Sequence, residues 1–208
     1  MGSAPGYIGG RERDRHEARD ATGTESGAQM RLTIVPGIGG SDSAHWQSLW
    51  QARDATVQRI APSSWDAPEL DDWLQALDVV VADRGFDTVL VAHSLGTLAA
   101  AEWLARNPGS VAGALLVAPP DRFGAEFPAA APSFRGIEPV PLGVPALVVA
   151  SDDDHYCTID VAGQLAQAWG AEFVNIGSAG HINVASNLGD WAEGHTLLDG
   201  LIRRVRGA

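Results

Sequence analysis

Thr88-Val89-Leu90-Val91-Ala92-His93-Ser94-Leu95-Gly96-Thr97-Leu98-Ala99-Ala100-Ala101 changes character at a single serine. Before Ser94 the residues are β-branched and apolar, the composition of a buried strand; after it an alanine-rich helix begins at once. A strand that turns directly into a helix through a serine needs small residues two before and two after it. Ala92 and Gly96 stand there, with Ala92 where glycine is more usual. This strand–elbow–helix context is that of a serine nucleophile lifted above a sheet, with the helix N-terminus beneath it. The competing explanation is a strand followed by a helix whose N-cap happens to be serine.

Outward from this segment, short β-rich runs alternate with helical ones. Strands are expected over residues 32–35, 57–60, 88–92, 114–117, 146–150 and 172–176, several of them continuously apolar, as parallel strands covered on both faces are. Leu70, Trp73, Leu74, Leu77, Val80 and Val81 share one face of a helix that Gly85 can stop. Further helices are expected over 94–106, after Thr158 as N-cap up to Gly170, and over about 191–205, where Arg203, Arg204 and Arg206 suit the helix C-terminus. The alternation predicts one three-layer α/β/α sandwich with a mostly parallel sheet and functional loops at the strands' carboxyl ends. The proline-rich stretch 120–145 reads as a long loop with room for a short helix but not for a large lid.

A serine nucleophile needs a base and an acid to orient it, and in this kind of fold they follow it in the order Ser, Asp, His. After the 146–150 strand comes Ser151-Asp152-Asp153-Asp154-His155-Tyr156; spacing alone does not separate Asp153 from Asp154, and a solvated acidic turn is the plainer reading for the others. After the last strand, Gly177-Ser178-Ala179-Gly180-His181-Ile182-Asn183 puts a histidine on a glycine-rich loop able to reach the centre of the sheet. The first strand runs into Pro36-Gly37-Ile38-Gly39-Gly40-Ser41, whose backbone N–H groups suit an oxyanion; the expected donors are Ile38 and Leu95. That loop lacks the G-x-G-x-x-G and G-K-[ST] spacings of nucleotide sites.

Of the other histidines, His93 is expected to turn away from the nucleophile into packing or a supporting contact. His16 and His195 read as surface residues. His45, in Ser43-Ala44-His45-Trp46-Gln47, follows the glycine loop, so Gly37, His45 and Trp46 are candidate pocket residues, although Trp46, Trp50, Trp65 and Trp73 also read as core and rim packing. No H-x-x-x-H or H-E-x-x-H spacing supports a metal site, and none is expected.

Composition narrows the partners. The chain has 208 residues, 45% hydrophobic and 19% charged, which fits one globular domain. A formal net charge of −12 argues against nucleic acid and anionic membrane surfaces as partners. No apolar run approaches the roughly 20 residues of a transmembrane helix. Cys157 is the sole cysteine, so no intrachain disulfide forms; this fits a reducing compartment, and a cytoplasmic location is expected. Residues 1–29, with Arg11-Glu12-Arg13-Asp14-Arg15, read as a disordered extension or a start assigned too early, ahead of a domain over 30–208 that opens at Met30.

Pro36-Gly37 with His45-Trp46-Gln47, the Ala92-His93-Ser94-Leu95-Gly96 elbow, the 151–156 run and Gly180-His181-Ile182-Asn183 occur in that order. Together with Ser186-Asn187-Leu188-Gly189-Asp190-Trp191, they resemble the small lidless serine hydrolases of the α/β-hydrolase fold, which include the YdeN-type proteins and the retinoblastoma-binding serine hydrolase. The resemblance covers roughly residues 31–206. It implies a compact sheet of six parallel strands, a Ser-Asp-His triad and esterase-type chemistry, and names no substrate; the reaction expected from the residues is acyl transfer to water through an acyl-enzyme, on a small ester or acyl compound and without a cofactor. The family's acid stands before a proline–aromatic pair, which maps onto Asp154 ahead of His155-Tyr156; His155 replaces the proline, which keeps Asp153 open. Peptide, thioester or lactone cleavage, or a binding protein that has lost catalysis, are the alternatives within the same fold.

Overall fold

The computed structural model describes Met1, Gly2 and residues 30–207. The expected extension over 1–29 therefore falls, from residue 3 on, outside the described residues. Six strands form one sheet: β1 (Arg31–Val35), β2 (Gln58–Arg59), β3 (Thr88–His93), β4 (Gly113–Val117), β5 (Ala146–Ala150) and β6 (Glu172–Asn175). Their order is β2-β1-β3-β4-β5-β6, and every neighbouring pair is parallel. The three central strands β3, β4 and β5 are buried along their whole length, whereas β6 at the edge is mostly exposed.

Five helices cover the sheet: α1 (Trp46–Arg53), α2 (Leu70–Ala82), α3 (Leu95–Arg106), α4 (Ile159–Trp169) and α5 (Ala192–Gly207). Side chains alternate along each strand, so the two faces can be read from the sequence of β3 alone. Leu90 and Ala92 face one core, with Trp73 and Leu77 of α2, Leu98 and Leu104 of α3, and Trp169 of α4. Val89 and Val91 face the other, with Trp46 and Trp50 of α1 and Leu198 and Leu201 of α5. Each such buried valine or leucine contributes about 1.5–3 kcal/mol of transfer free energy, which is why the sandwich is closed on both sides.

The chain steps from β1 outward to β2 and then back across β1 to β3. Crossovers in parallel sheets keep one hand, so this reversal puts α1 on the opposite face from α2, α3 and α4. It also opens a crevice at the carboxyl ends of β1 and β3, the position at which open α/β sheets bind ligands. The register aligns Val35 of β1 with Ala92 of β3, so the loops that follow these strands start side by side.

Several element ends differ by one or two residues from the sequence-based expectation, and β2, β6 and α1 show the differences. The second strand pairs only at Gln58 and Arg59, with Val57 and Ile60 flanking it. The last strand ends at Asn175, one residue early. Helix α1 was not anticipated: it is two turns long, and its N-cap is His45, whose ring Nδ1 accepts from the Gln47 N–H, so it lacks the usual Ser, Thr, Asp or Asn start signal. The 120–145 connection holds a 3-10 turn, Pro132–Gly136, whose Phe134 packs edge-on to Trp73 at 5.4 Å between ring centroids. Among the described residues no helix is long and apolar enough to cross a membrane.

Candidate active site

Ser94 stands between β3 and α3 with φ 54° and ψ −129°, a backbone conformation that costs a non-glycine residue about 1–3 kcal/mol and persists only where the surroundings enforce it. The enforcement comes from two glycines. A Cβ on Gly96 would lie 2.3 Å from the Val35 carbonyl oxygen and 2.4 Å from that of Pro36. A Cβ on Gly37 would lie 2.8 Å from the Ser94 Cβ. The end of β1 and the first turn of α3 are thus pressed together with the serine between them. Gly96→Ala is expected to destabilise the fold by about 1–3 kcal/mol through this overlap with backbone. A melting temperature within 1 °C of the parent would contradict it.

Although Ser94 occupies the N-cap position of α3, its side chain makes no capping hydrogen bond. Its Oγ–H instead donates to His181 Nε2 at 2.8 Å, and the other ring nitrogen, Nδ1, donates to Asp154 Oδ2 at 2.8 Å. A proton between an imidazole and a carboxylate acceptor fixes the tautomer: Nδ1 carries hydrogen and Nε2 accepts. Asp154 and His181 are both buried, and Asp154 Oδ1 accepts the Tyr156 N–H at 2.9 Å.

The three consecutive carboxylates are separated by their partners. Asp152 accepts from the Asn175 amide at 2.6 Å. Asp153 accepts the Gly180 N–H at 2.7 Å and lies 2.9 Å from Ser151 Oγ; the Gly180 bond, then the Ser151 one, hold its carboxyl below the usual range. Asp154 alone meets the imidazole, so Asp153 holds the backbone of the histidine loop rather than its ring. His155 is exposed, its ring 4.2 Å from Tyr156 and 6.5 Å from His181.

The His181 loop is pinned from below. His93 Nε2–H donates to the His181 carbonyl at 2.9 Å, and Trp46 Nε1–H donates to the Ile182 carbonyl at 2.9 Å. Ile182 is fully buried at φ 49°, a strained conformation for a β-branched residue, and these bonds hold it there. Burial, then the neighbouring rings of His181 and His45, drive the His93 pKa well down, which keeps it a neutral donor. Trp46 is 1% exposed and lies in the core with Trp50 and Trp191; the expectation that it lines the pocket is corrected, because a ring this large at the start of α1 is drawn under the sheet. The surface reading of His195 is also corrected: it is half-buried, stacked on Trp50 at 4.2 Å.

A cavity of about 880 Å³ opens over Ser94 and His181, lined among others by Gly37, Ile38, His45, Leu95 and Tyr156. Ile38 opens a 3-10 turn (Ile38–Gly40) and Leu95 opens α3, positions whose N–H groups have no partner within their own helix. The adjacent N–H groups of Gly39 and Gly40 are taken by the Trp65 and Gly37 carbonyls. Among the described residues no three His, Cys, Asp or Glu side chains converge as a metal site. Burial pushes the Cys157 thiol up to about 12, so it offers no competing nucleophile.

His45 is buried, and that burial is the main cause holding its pKa down at about 4. Protonation would also break its Nδ1 cap on α1. The unfolded chain binds this proton near pH 6.5 and the folded one only near 4, so stability falls as pH drops through that window. His45 alone is expected to contribute up to about 3 kcal/mol of that loss. Denaturant melts between pH 7.5 and 4 check it: His45→Gln should flatten the slope, and an unchanged slope would contradict the assignment.

A family model described as serine hydrolase matches residues 32–200. No curated protein sequence matches the chain. Among solved structures, the chain is 34% identical to a protein described as a YdeN-like hydrolase from Pectobacterium atrosepticum, over 88% of this chain and 95% of that one, with a TM-score of 0.77. The ydeN gene product of B. subtilis is 22% identical over 83% of this chain and 98% of its own, with a TM-score of 0.62. A thermophilic esterase from Thermogutta terrifontis shares the α/β-hydrolase fold at 14% identity, 85% and 90% coverage and a TM-score of 0.61.

Proposed function

This chain belongs to the serine hydrolase family, and from that membership we propose that it cleaves a carboxylic ester through Ser94, His181 and Asp154. The observation that carries the reading is the unbroken pair of 2.8 Å hydrogen bonds from Ser94 Oγ to His181 Nε2 and from His181 Nδ1 to Asp154. Ser94 Oγ attacks the ester carbonyl carbon as its proton passes to His181 Nε2. Asp154 holds the imidazole in the accepting tautomer and stabilises the imidazolium that results. The N–H groups of Ile38 and Leu95 receive the oxyanion of the tetrahedral intermediate, with the N-terminus of α3 adding its dipole.

Collapse of that intermediate breaks the bond to the alcohol, which leaves with the proton from His181 Nε2. The acyl group stays on Ser94. Water then gives a proton to His181 and attacks the acyl carbon, and the acid is released as Ser94 regains its hydrogen. These steps use only side chains, backbone and water, and call on no cofactor. The proposed substrate is a small-molecule ester; nucleic acid and membranes are not proposed as partners, and a cytoplasmic location is part of the same proposal.

Steady-state kinetics on p-nitrophenyl esters of increasing acyl length, beside a thioester, a lactone and an aminopeptidase substrate, test the bond class. The ester series is expected to give the highest kcat/KM. Faster cleavage of any other class would reassign the reaction within the fold, and turnover of none by folded protein would favour a binding protein.

A further inference from the structure

The cavity over Ser94 carries fixed charge of one sign. Two carboxylates line it, Asp42 on the segment after β1 and Glu126 on the connection between β4 and β5, and no arginine or lysine is among its described lining residues. Both side chains belong to exposed residues, and Asp42 is anchored by accepting the Ala44 and His45 N–H groups at 2.9 and 3.2 Å. The basic groups at the back of the cavity do not offset them, because burial holds His45 down at about 4 and His93 well below its ordinary value. Arg59 reaches the same loop from outside the cavity, where its guanidinium is held by the Gly40 and Ser41 carbonyls and Ser48 Oγ. Most of the remaining wall is small or apolar, and among the described lining residues Tyr156 adds an aromatic ring beside the imidazoles. A cleft with one sign of charge on low-dielectric walls concentrates ligands of the opposite sign and repels its own.

We propose that this site prefers esters bearing an ammonium group to neutral isosteres and excludes anionic ones, with Asp42 and Glu126 setting the order. The inference rests on the ester-hydrolase reading above. It also gives the reaction a direction of release. Cleavage turns an uncharged acyl group into a carboxylate anion, which the same two side chains then repel from the site.

Three esters of one acid test it, with alcohol portions ending in trimethylammonium, tert-butyl or sulfonate. At low ionic strength kcat/KM should fall in that order, by about tenfold or more between the first and the last. In about 1 M salt, where charges are screened within about 3 Å, the ratio should collapse towards one. The double variant Asp42→Asn/Glu126→Gln keeps the hydrogen-bond acceptors and should cut the low-salt ratio at least about threefold. Asp199→Asn, on the exposed face of α5, should leave the ratio as it was and so separates the cavity wall from the overall negative charge. Cleavage of the neutral ester with a flat or reversed charge order, or with a ratio the double variant does not move, would overturn this inference and leave the hydrolase reading standing. Cleavage of none of the three by folded protein would overturn the reading and the inference with it.

Discussion

Ser94→Ala is expected to lower kcat/KM on activated esters by about 10⁴-fold or more, leaving at most the background that an oxyanion site and binding alone sustain. The size of the loss follows from the proposed chemistry, since among the described residues Ser94 is the hydroxyl that meets His181 Nε2, and Cys157 is buried with its thiol pushed up to about 12. The fold should survive. Alanine keeps the Cβ against which Gly37 packs, and Ser94 Oγ makes no capping bond whose loss would loosen α3. An unfolding midpoint close to the parent's, together with lost turnover, is the expected pair of results. Turnover within tenfold of the parent would remove Ser94 from the mechanism.

Asp154→Asn is expected to cost about 10⁴-fold in kcat with little change in structure. A carboxamide at that position can donate to His181 Nδ1, which moves the ring proton to Nε2 and turns an N–H towards the Ser94 hydroxyl it ought to deprotonate. Asp153→Asn retains an oxygen for the Gly180 N–H and the Ser151 hydroxyl, so less than about tenfold is expected. The contrast between the two is the informative measurement. The reverse order of effects would move the acid by one residue and show that the 2.8 Å contact to Asp154 is not the one that matters.

Much of this arrangement is legible in the amino-acid sequence. The strands of the sheet centre announce themselves because burial on both faces leaves no polar position to break the run, as in Leu115, Leu116 and Val117. Helix α2 shows itself through a wide apolar stripe, whereas α1 offers only Trp46, Leu49 and Trp50 over two turns and starts at a histidine cap. Ser94 was legible because its neighbours must be small, although the reason for Gly96 lies at the end of strand β1, where the Val35 and Pro36 carbonyl oxygens leave no room for a Cβ.

The supporting contacts were not legible. His93 meets a backbone carbonyl 88 residues away, and Trp46 meets one 136 residues away, and no pattern of residue types encodes a bond to a carbonyl. Which of Asp153 and Asp154 meets the imidazole depends on which side chain the turn buries, something three identical residues in a row cannot display.

In the proposed mechanism Ser94 is a nucleophile activated in place. Treating the folded protein with a fluorophosphonate and locating the adduct by peptide mass tests it most directly. One phosphonyl group per chain is expected, on the peptide containing Ser94, formed far faster than on free serine, and absent from Ser94→Ala. An adduct on another residue, equal labelling of the alanine variant, or a folded protein that takes up no label would contradict it.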